Sequence, residues 1–307
     1  MMKRISNLLI YISIPFVIYY LISQDLLSLP IFITQPYLII SLIFLFMGFL
    51  LDTKVWHIIV KNADHAITWN DSVISAGLNI FAKYIPGKVW VIIGRANIIS
   101  SFYLIPLRTS TSLSFFGQLI LILNGFLVGI LGFLFINYLP KLILILIITG
   151  TIILIFLVAR FYKPILSFII TKLFRKEFYM PNMTFYKLLK VNIITLSVWF
   201  CWSISFYYLL ASMSGNFLNI STLFSFPFAA TVGILTIISP GGAGIREGML
   251  TWYLVTCGMT IQYATTAAVL SRLWFLVGEL FIFIFALLLN MLRKKTKLLN
   301  SQQINTD

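Results

Sequence analysis

The stretch AKYIPGKVWVIIGRANI, residues 82–98, decides how the chain is read. It carries Lys83, Lys88 and Arg95 around a break at Pro86 and Gly87, inside an otherwise apolar run. Proline removes a backbone donor and clashes with the preceding turn, so one straight helix does not run through it. The apolar run 222–258 is broken in the same way: ISPGGAGIREG, residues 238–248, places Pro240, Gly241, Gly242 and Gly244 just before Arg246 and Glu247. Each arm beside a break is about 12 to 17 residues, roughly 18 to 25 Å of helix, enough to reach the middle of a bilayer and turn back. Both segments, 72–100 and 222–258, are therefore expected to be re-entrant hairpins.

Composition sets the solvent. With 60% hydrophobic, 16% aromatic and only 10% charged residues, the chain has too little polar surface to coat a water-soluble globule. Its mean hydropathy is +1.02. Full spans are expected near 5–23, 37–52, 110–136, 141–159, 191–212 and 263–290. Residues 1–23 resemble a signal peptide, but no small-residue cleavage site follows, so they are taken as a retained first helix. Sixteen of the 22 basic residues then fall on one side, in the N-terminus, the connection holding Lys54 and Lys61, Arg108, the loop 160–190 and the tail after 292. The would-be outer loops hold only Lys141. By the positive-inside rule both termini are expected in the cytoplasm, with the protein multi-pass in the cell membrane. The net charge of +14 is thus orientation and contact with anionic lipid, and nucleic acid is not an expected partner.

The element order repeats: span, span, hairpin, span, and then the same series entered from the opposite face. The expected fold is an all-α integral membrane protein of about six transmembrane helices plus two oppositely oriented re-entrant helical hairpins in an inverted repeat. Residues 1–140 form the first repeat, 141–292 the second and 293–307 a cytoplasmic basic tail, all within a single membrane domain. Transporters built this way place substrate near the midplane, at the repeat interface.

The paired motifs KYIPGKVW...GR and SPGGAGIREG resemble the transmembrane region of the lysylphosphatidylglycerol synthase/flippase proteins, the multiple peptide resistance factor family, over most of the chain. The matching positions are Lys83, Pro86, Gly87, Lys88, Gly94 and Arg95 in the first motif. In the second they are Pro240, Gly241, Gly242, Gly244, Arg246, Glu247 and Gly248. The resemblance implies a flippase-like region that moves a lipid between leaflets. In that family a separate soluble domain aminoacylates phosphatidylglycerol; these 307 residues hold no stretch of such composition, so a stand-alone member is expected and an aminoacylated cargo is not implied.

The chemistry of the breaks leads the same way. The arm after each break begins with free backbone N–H groups and the positive end of its dipole at depth, which favours an anion. Lys83, Lys88, Arg95, Arg246 and Arg272 give five intramembrane cations against two acids, Glu247 and Glu279. Charges at depth need partners, so the surplus points to an anionic group supplied by a ligand. Arg272 and Glu279 are seven residues apart, on one face of the last span, and are expected to share a buried network with Arg246 and Glu247. Those four residues, with Lys83, Pro86, Gly87, Lys88, Arg95, Pro240, Gly241, Gly242 and Gly244, are the candidate substrate-binding set. Bland readings stand beside this one: Lys83 and Lys88 snorkelling from a shallow hairpin, the glycines serving only the turn, and the acid–base pairs only fixing helix packing.

The function that follows is a flippase for an anionic, phosphate-bearing lipid or a polyprenyl-phosphate-linked intermediate. The alternative is a secondary transporter of a small soluble anion, proton-coupled through Glu279. A membrane enzyme acting on a headgroup is a third class, but no nucleophile stands beside a His or carboxylate dyad and no metal spacing is visible, so no catalysis is expected. No nucleotide-binding loop suggests ATP and no cofactor is expected. Candidate partners are lipid-modifying or glycan-assembly enzymes and a second copy of the chain. His57 and His65, with Asp52, Asp64 and Asp71, are expected in a solvated interfacial loop. Cys201 and Cys257 are expected to be packing residues, Asn124, Gln118 and Asn192 to bond between helices, and tryptophans such as Trp199, Trp202 and Trp274 to pack or anchor at the interface.

Overall fold

The computed structural model describes residues 34–85, 89–136, 140–153, 156, 184–236 and 244–304, and every regular element among them is helical. The expected span 5–23, most of the loop 160–190 and both Pro-Gly tips, with Pro86, Gly87, Lys88, Pro240, Gly241 and Gly242, lie outside the described residues.

In chain order the α-helices are α1 (Gln35–Asn62), α2 (Trp69–Gly77), α3 (Trp90–Tyr103), α4 (Leu107–Leu131), α5 (Lys141–Ile153), α6 (Phe185–Ser214), α7 (Ser225–Leu235), α8 (Ile245–Thr256) and α9 (Ile261–Ile304). Short 3-10 turns extend three of them: Ile80–Tyr84 after α2, Gly132–Phe135 after α4 and Ile220–Phe224 before α7. Four of the described helices, α1, α4 with its 3-10 extension, α6 and α9, are long and apolar enough to cross a membrane. Local chemistry sets the ends. Pro36 opens α1, where a missing N–H costs nothing. Gly215 closes α6 with φ 75°, a left-handed cap that glycine adopts without strain. The Thr68 hydroxyl caps α2 by accepting from Asp71 N at 3.1 Å.

Both broken segments appear as two arms. The first comprises α2 with its 3-10 turn and then α3; the second comprises α7 and then α8. Gly94 lets the first pair of arms close, since a Cβ there would stand 2.3 Å from Asn79 Oδ1.

The helices pair reciprocally. α1 runs antiparallel to α6: Lys187 Nζ donates to Asn62 O at 3.1 Å, the Ser205 hydroxyl bonds Ser41 and Thr34 N donates to Ser212 O at 3.1 Å. The first arm of each broken segment packs on a long helix distant in sequence, α2 on α9 and α7 on α4. Each second arm packs on the helix that follows it, α3 on α4 and α8 on α9. The Asn124 amide donates to Asn192 Oδ1 at 2.9 Å between α4 and α6, as expected of polar groups inside an apolar bundle. Trp199, Trp202 and Trp274 are buried, so they pack and do not anchor at an interface.

Apolar side chains cover the outside as well as the core. Val277, Leu280, Ile284 and Leu288 form an exposed stripe on α9, and α5 exposes Leu142, Ile145, Leu146 and Ile152. A lipid solvent makes such a surface ordinary. Without a hydrophobic drive between helices, close approach comes from small residues. A Cβ on Gly129 would meet the Phe228 backbone of α7 at 2.6 Å, while one on Gly150 of α5 meets nothing within 4 Å. Gly129→Ala is therefore expected to destabilise the protein by about 1–3 kcal/mol through overpacking. Gly150→Ala is expected to be neutral or slightly stabilising, by up to about 1 kcal/mol. Thermal unfolding of both variants in detergent checks this.

The polar connection after the second span is not a loop. α1 runs unbroken through Asp52 and His57 to Asn62, because His57 is buried against Ser72 Oγ at 3.5 Å and α2 covers that end. Asp71 is buried too: Thr68 Oγ1 donates to it at 2.9 Å, Tyr103 donates its hydroxyl, and Arg293 Nε sits 2.8 Å from its other oxygen. His65 lies between helices, and Asp64 is exposed, with Lys187 Nζ 3.5 Å away. Of the five residues expected in solvent, only these last two lie in a connection.

Candidate functional site

The site is assembled by α9. Ser271, Arg272, Phe275 and Glu279 recur on one face of that helix at three-, four- and seven-residue spacing. Against this face stands one arm of each broken segment: Lys83 and Tyr84 in the 3-10 turn after α2, and Arg246 and Glu247 in the first turn of α8. Gly244 starts that turn with φ 79°, and its N–H donates to Glu247 Oε2 at 2.8 Å, so the acid caps the helix it belongs to.

Two of the cations are matched. Arg272 grips Glu247 with both ends of its fork, Nη2 to Oε2 at 2.8 Å and Nε to Oε1. Glu279, fully buried, accepts from Lys83 Nζ and from Tyr84 OH at 2.9 Å. α9 thus ties itself to α8 through Arg272 and to the 3-10 turn after α2 through Glu279.

Arg246 is not matched. It is only 9% exposed, and among the described residues it forms no ion pair. Its Nη2 lies 3.3 Å from Ser271 Oγ and 3.4 Å from Ser271 O, while its Nε has no hydrogen-bond partner. The guanidinium stacks over Phe226 at 5.0 Å and Phe275 at 5.5 Å. The Phe275 ring also carries Lys83 Nζ at 4.9 Å, so cations from both hairpins share one aromatic face. A buried arginine with an unused donor is costly unless an acceptor arrives.

Arg95 is held elsewhere. Its Nε donates to Ser114 Oγ and its Nη2 to Ser114 O, both at 2.6 Å, and the guanidinium lies 4.8 Å over the Trp56 ring. The structure therefore brings together Lys83, Arg246, Glu247, Arg272 and Glu279, and sets Arg95 apart towards α4. Pairing of Arg246 with Glu279 does not occur. Successive helical positions point about 100° apart, so Glu247 reaches Arg272 sideways while Arg246 turns inward, and Glu279 takes Lys83.

Three contributors escape a reading by charge and Pro-Gly motif. Tyr84 and Phe275 look like ordinary apolar-segment aromatics. Asp52 was misplaced because Lys54, His57 and Lys61 make its surroundings look like a polar loop; it is a third acid, within electrostatic reach of Arg95 and Lys83. Beside Glu247 a groove of about 650 Å³ opens between α8 and α9, lined by Thr251, Trp252, Val255, Ile261 and Thr265. Among the described residues no group of His, Cys, Asp or Glu side chains could hold a metal ion.

No curated protein and no solved structure gives a significant match to the chain. The model of one family, described as the lysylphosphatidylglycerol synthase TM region, matches residues 7–289. That match takes in both broken segments, α9 up to Leu289 and every charged residue of the site, and the chain belongs to the lysylphosphatidylglycerol synthase transmembrane-region family.

Proposed function

We propose that the chain is a lipid flippase that binds the phosphate of an anionic lipid, or of a polyprenyl-phosphate-linked intermediate, between its two hairpins and passes it between leaflets. The observation that carries this reading is Arg246: a buried guanidinium with an unused Nε and, among the described residues, no carboxylate within ion-pair distance, beside the matched pairs of Arg272 and Lys83. A phosphate fits that vacancy by charge and by the planar fork that arginine offers it. The Gly244–Ile245 end of α8 lies next to it and adds the positive end of a helix dipole. The groove beside Glu247, almost wholly apolar and open along its length, suits acyl chains that stay in the bilayer while the headgroup moves.

The reciprocal contacts of the two halves and the antiparallel pairing of α1 with α6 support an inverted repeat of re-entrant hairpins, with the two halves rocking about the site. We place the protein in the cell membrane with both termini in the cytoplasm, acting as a carrier without catalysis, and name lipid-modifying or glycan-assembly enzymes and a second copy of the chain as its partners.

The direct test is movement of a headgroup-labelled lipid in reconstituted vesicles, read by a membrane-impermeant quencher. Phosphatidylglycerol and a polyprenyl phosphate are the first lipids to try. If neither moves faster with the protein than with its Arg246→Ala variant, transport of a small soluble anion is the better reading. Topology has its own test. In cells carrying a cysteine-free background, a single cysteine at position 175 or 295 is expected to stay unlabelled by an impermeant maleimide, and one at position 219 to be labelled. Labelling at 175 or 295 in intact cells overturns the orientation.

A further inference from the structure

Asp52 has no task in the contacts described so far. Among the described residues it makes neither a hydrogen bond nor an ion pair. It lies on α1 four residues before Trp56, whose ring carries Arg95 at 4.8 Å. It also lies three residues after Phe49, whose ring meets Phe275 at 4.9 Å, the ring that carries Lys83. Positions 49, 52 and 56 share one helix face. Asp52 therefore lies on the face between the two rings that carry these cations and is bonded to neither among the described residues; Arg95 donates to Ser114 and Lys83 to Glu279. It is half-buried, in a helix long enough to cross the membrane.

We infer that Asp52 is the proton-binding site through which anion movement is coupled to a proton gradient. Ionised, Asp52 occupies the positive field of Arg95 and Lys83. An anion entering that field displaces it electrostatically, and Asp52 then takes one proton from the aqueous phase onto a carboxylate oxygen. When the anion leaves, the proton leaves with it and the carboxylate returns to the two cations. The carboxylate thus holds the place of the missing anion. This inference rests on the anion-transport reading above.

Glu279 is the less suitable group: it is fully buried and already accepts from Lys83 and Tyr84. The other titratable groups around α1 are engaged elsewhere. On α1 itself, Lys54 lies over Trp69, His57 faces Ser72 and Lys61 is at the far end. Asp71 of α2 holds Arg293 of α9, Arg272 of α9 holds Glu247, and Lys187 of α6 reaches Asn62. Tyr207 of α6 bonds Leu218, Tyr208 packs on Tyr37, and Arg108 of α4 and Lys190 of α6 sit at helix ends.

The test uses the purified full chain in detergent with two probes, dioctanoyl phosphatidylglycerol for a lipid and inorganic phosphate for a free anion. Wild-type affinity for the probe that binds is expected to rise up to about tenfold per pH unit on acidification, as linkage to one proton requires, with about one proton taken up per anion bound. Asp52→Asn is expected to bind at the wild-type low-pH affinity at every pH and to take up no proton. Asp52→Glu is expected to restore the pH dependence, and Glu279→Gln to keep it. A second readout needs no ligand: the infrared band of a protonated carboxylic acid that grows on acidification is expected to vanish in Asp52→Asn. Retention of the pH slope, the proton uptake or that band in Asp52→Asn overturns the assignment. Preference for the lipid probe supports the flippase source of the anion and preference for phosphate the soluble one. Failure of both probes to bind the wild type at any pH overturns the anion reading itself, together with the coupling built on it. Loss of the pH slope in Glu279→Gln alone overturns only the choice of Asp52.

Discussion

Arg246→Ala is expected to bring lipid movement in reconstituted vesicles down to the protein-free rate while the variant purifies and unfolds as wild type does. The reasoning starts from what the side chain lacks. Its Nε is unpartnered and, among the described residues, no carboxylate lies within ion-pair distance, so its removal leaves none of them stranded. Hydrogen bonds to charged groups contribute about 1.5–3 kcal/mol, so losing a phosphate contact is worth roughly 10- to 100-fold in binding. Arg246→Lys keeps the charge but loses the planar fork, and is expected to fall between the two. Lys172→Ala, outside the candidate site, is expected to leave movement unchanged. The outcome against this account is an Arg246→Ala protein that still moves lipid, or one that fails to fold because the stacking on Phe226 and Phe275 was the side chain's whole task.

The second large effect concerns stability. Glu279→Ala strands Lys83 and removes the acceptor of Tyr84, and breaking one partner of a buried ion pair typically costs about 3–5 kcal/mol. Lys83 keeps 28% side-chain exposure, which favours the lower end of that range, about 3 kcal/mol. Replacing both partners, Lys83→Met with Glu279→Leu, removes both charges together and is expected to cost much less than Glu279→Ala alone. A double-mutant cycle on thermal unfolding in detergent measures the difference. If the double variant is as unstable as the sum of the singles, the two residues do not act as a pair. The same cycle on Arg272 and Glu247 asks whether α9 grips the second hairpin as it grips the first.

Much of this architecture is determined by the sequence alone, because the physics involved is local. A lipid solvent demands long apolar helices, and a Pro-Gly pair cannot sit inside one, so the spans at α4, α6 and α9 and the two-armed segments around Pro86 and Pro240 follow from composition and spacing. The conclusion that Arg246, Glu247, Arg272 and Glu279 cannot face lipid follows as well, from the cost of charge at depth. Pairing is another matter. Which acid meets which base depends on where helices far apart in sequence cross, and α9 gives Glu279 to Lys83, 196 residues away, and Arg272 to Glu247. Only that arrangement leaves Arg246 beside two matched pairs without an ion pair of its own among the described residues. The same holds for Asp52 and His57: local polarity suggests loop residues, whereas α1 runs through both and α2 packs against it, with Asp52 on the face between the rings that carry Arg95 and Lys83. Local charge density along a chain measures how polar a segment is; the partners that make its burial tolerable come from other segments, and only the folded arrangement supplies them.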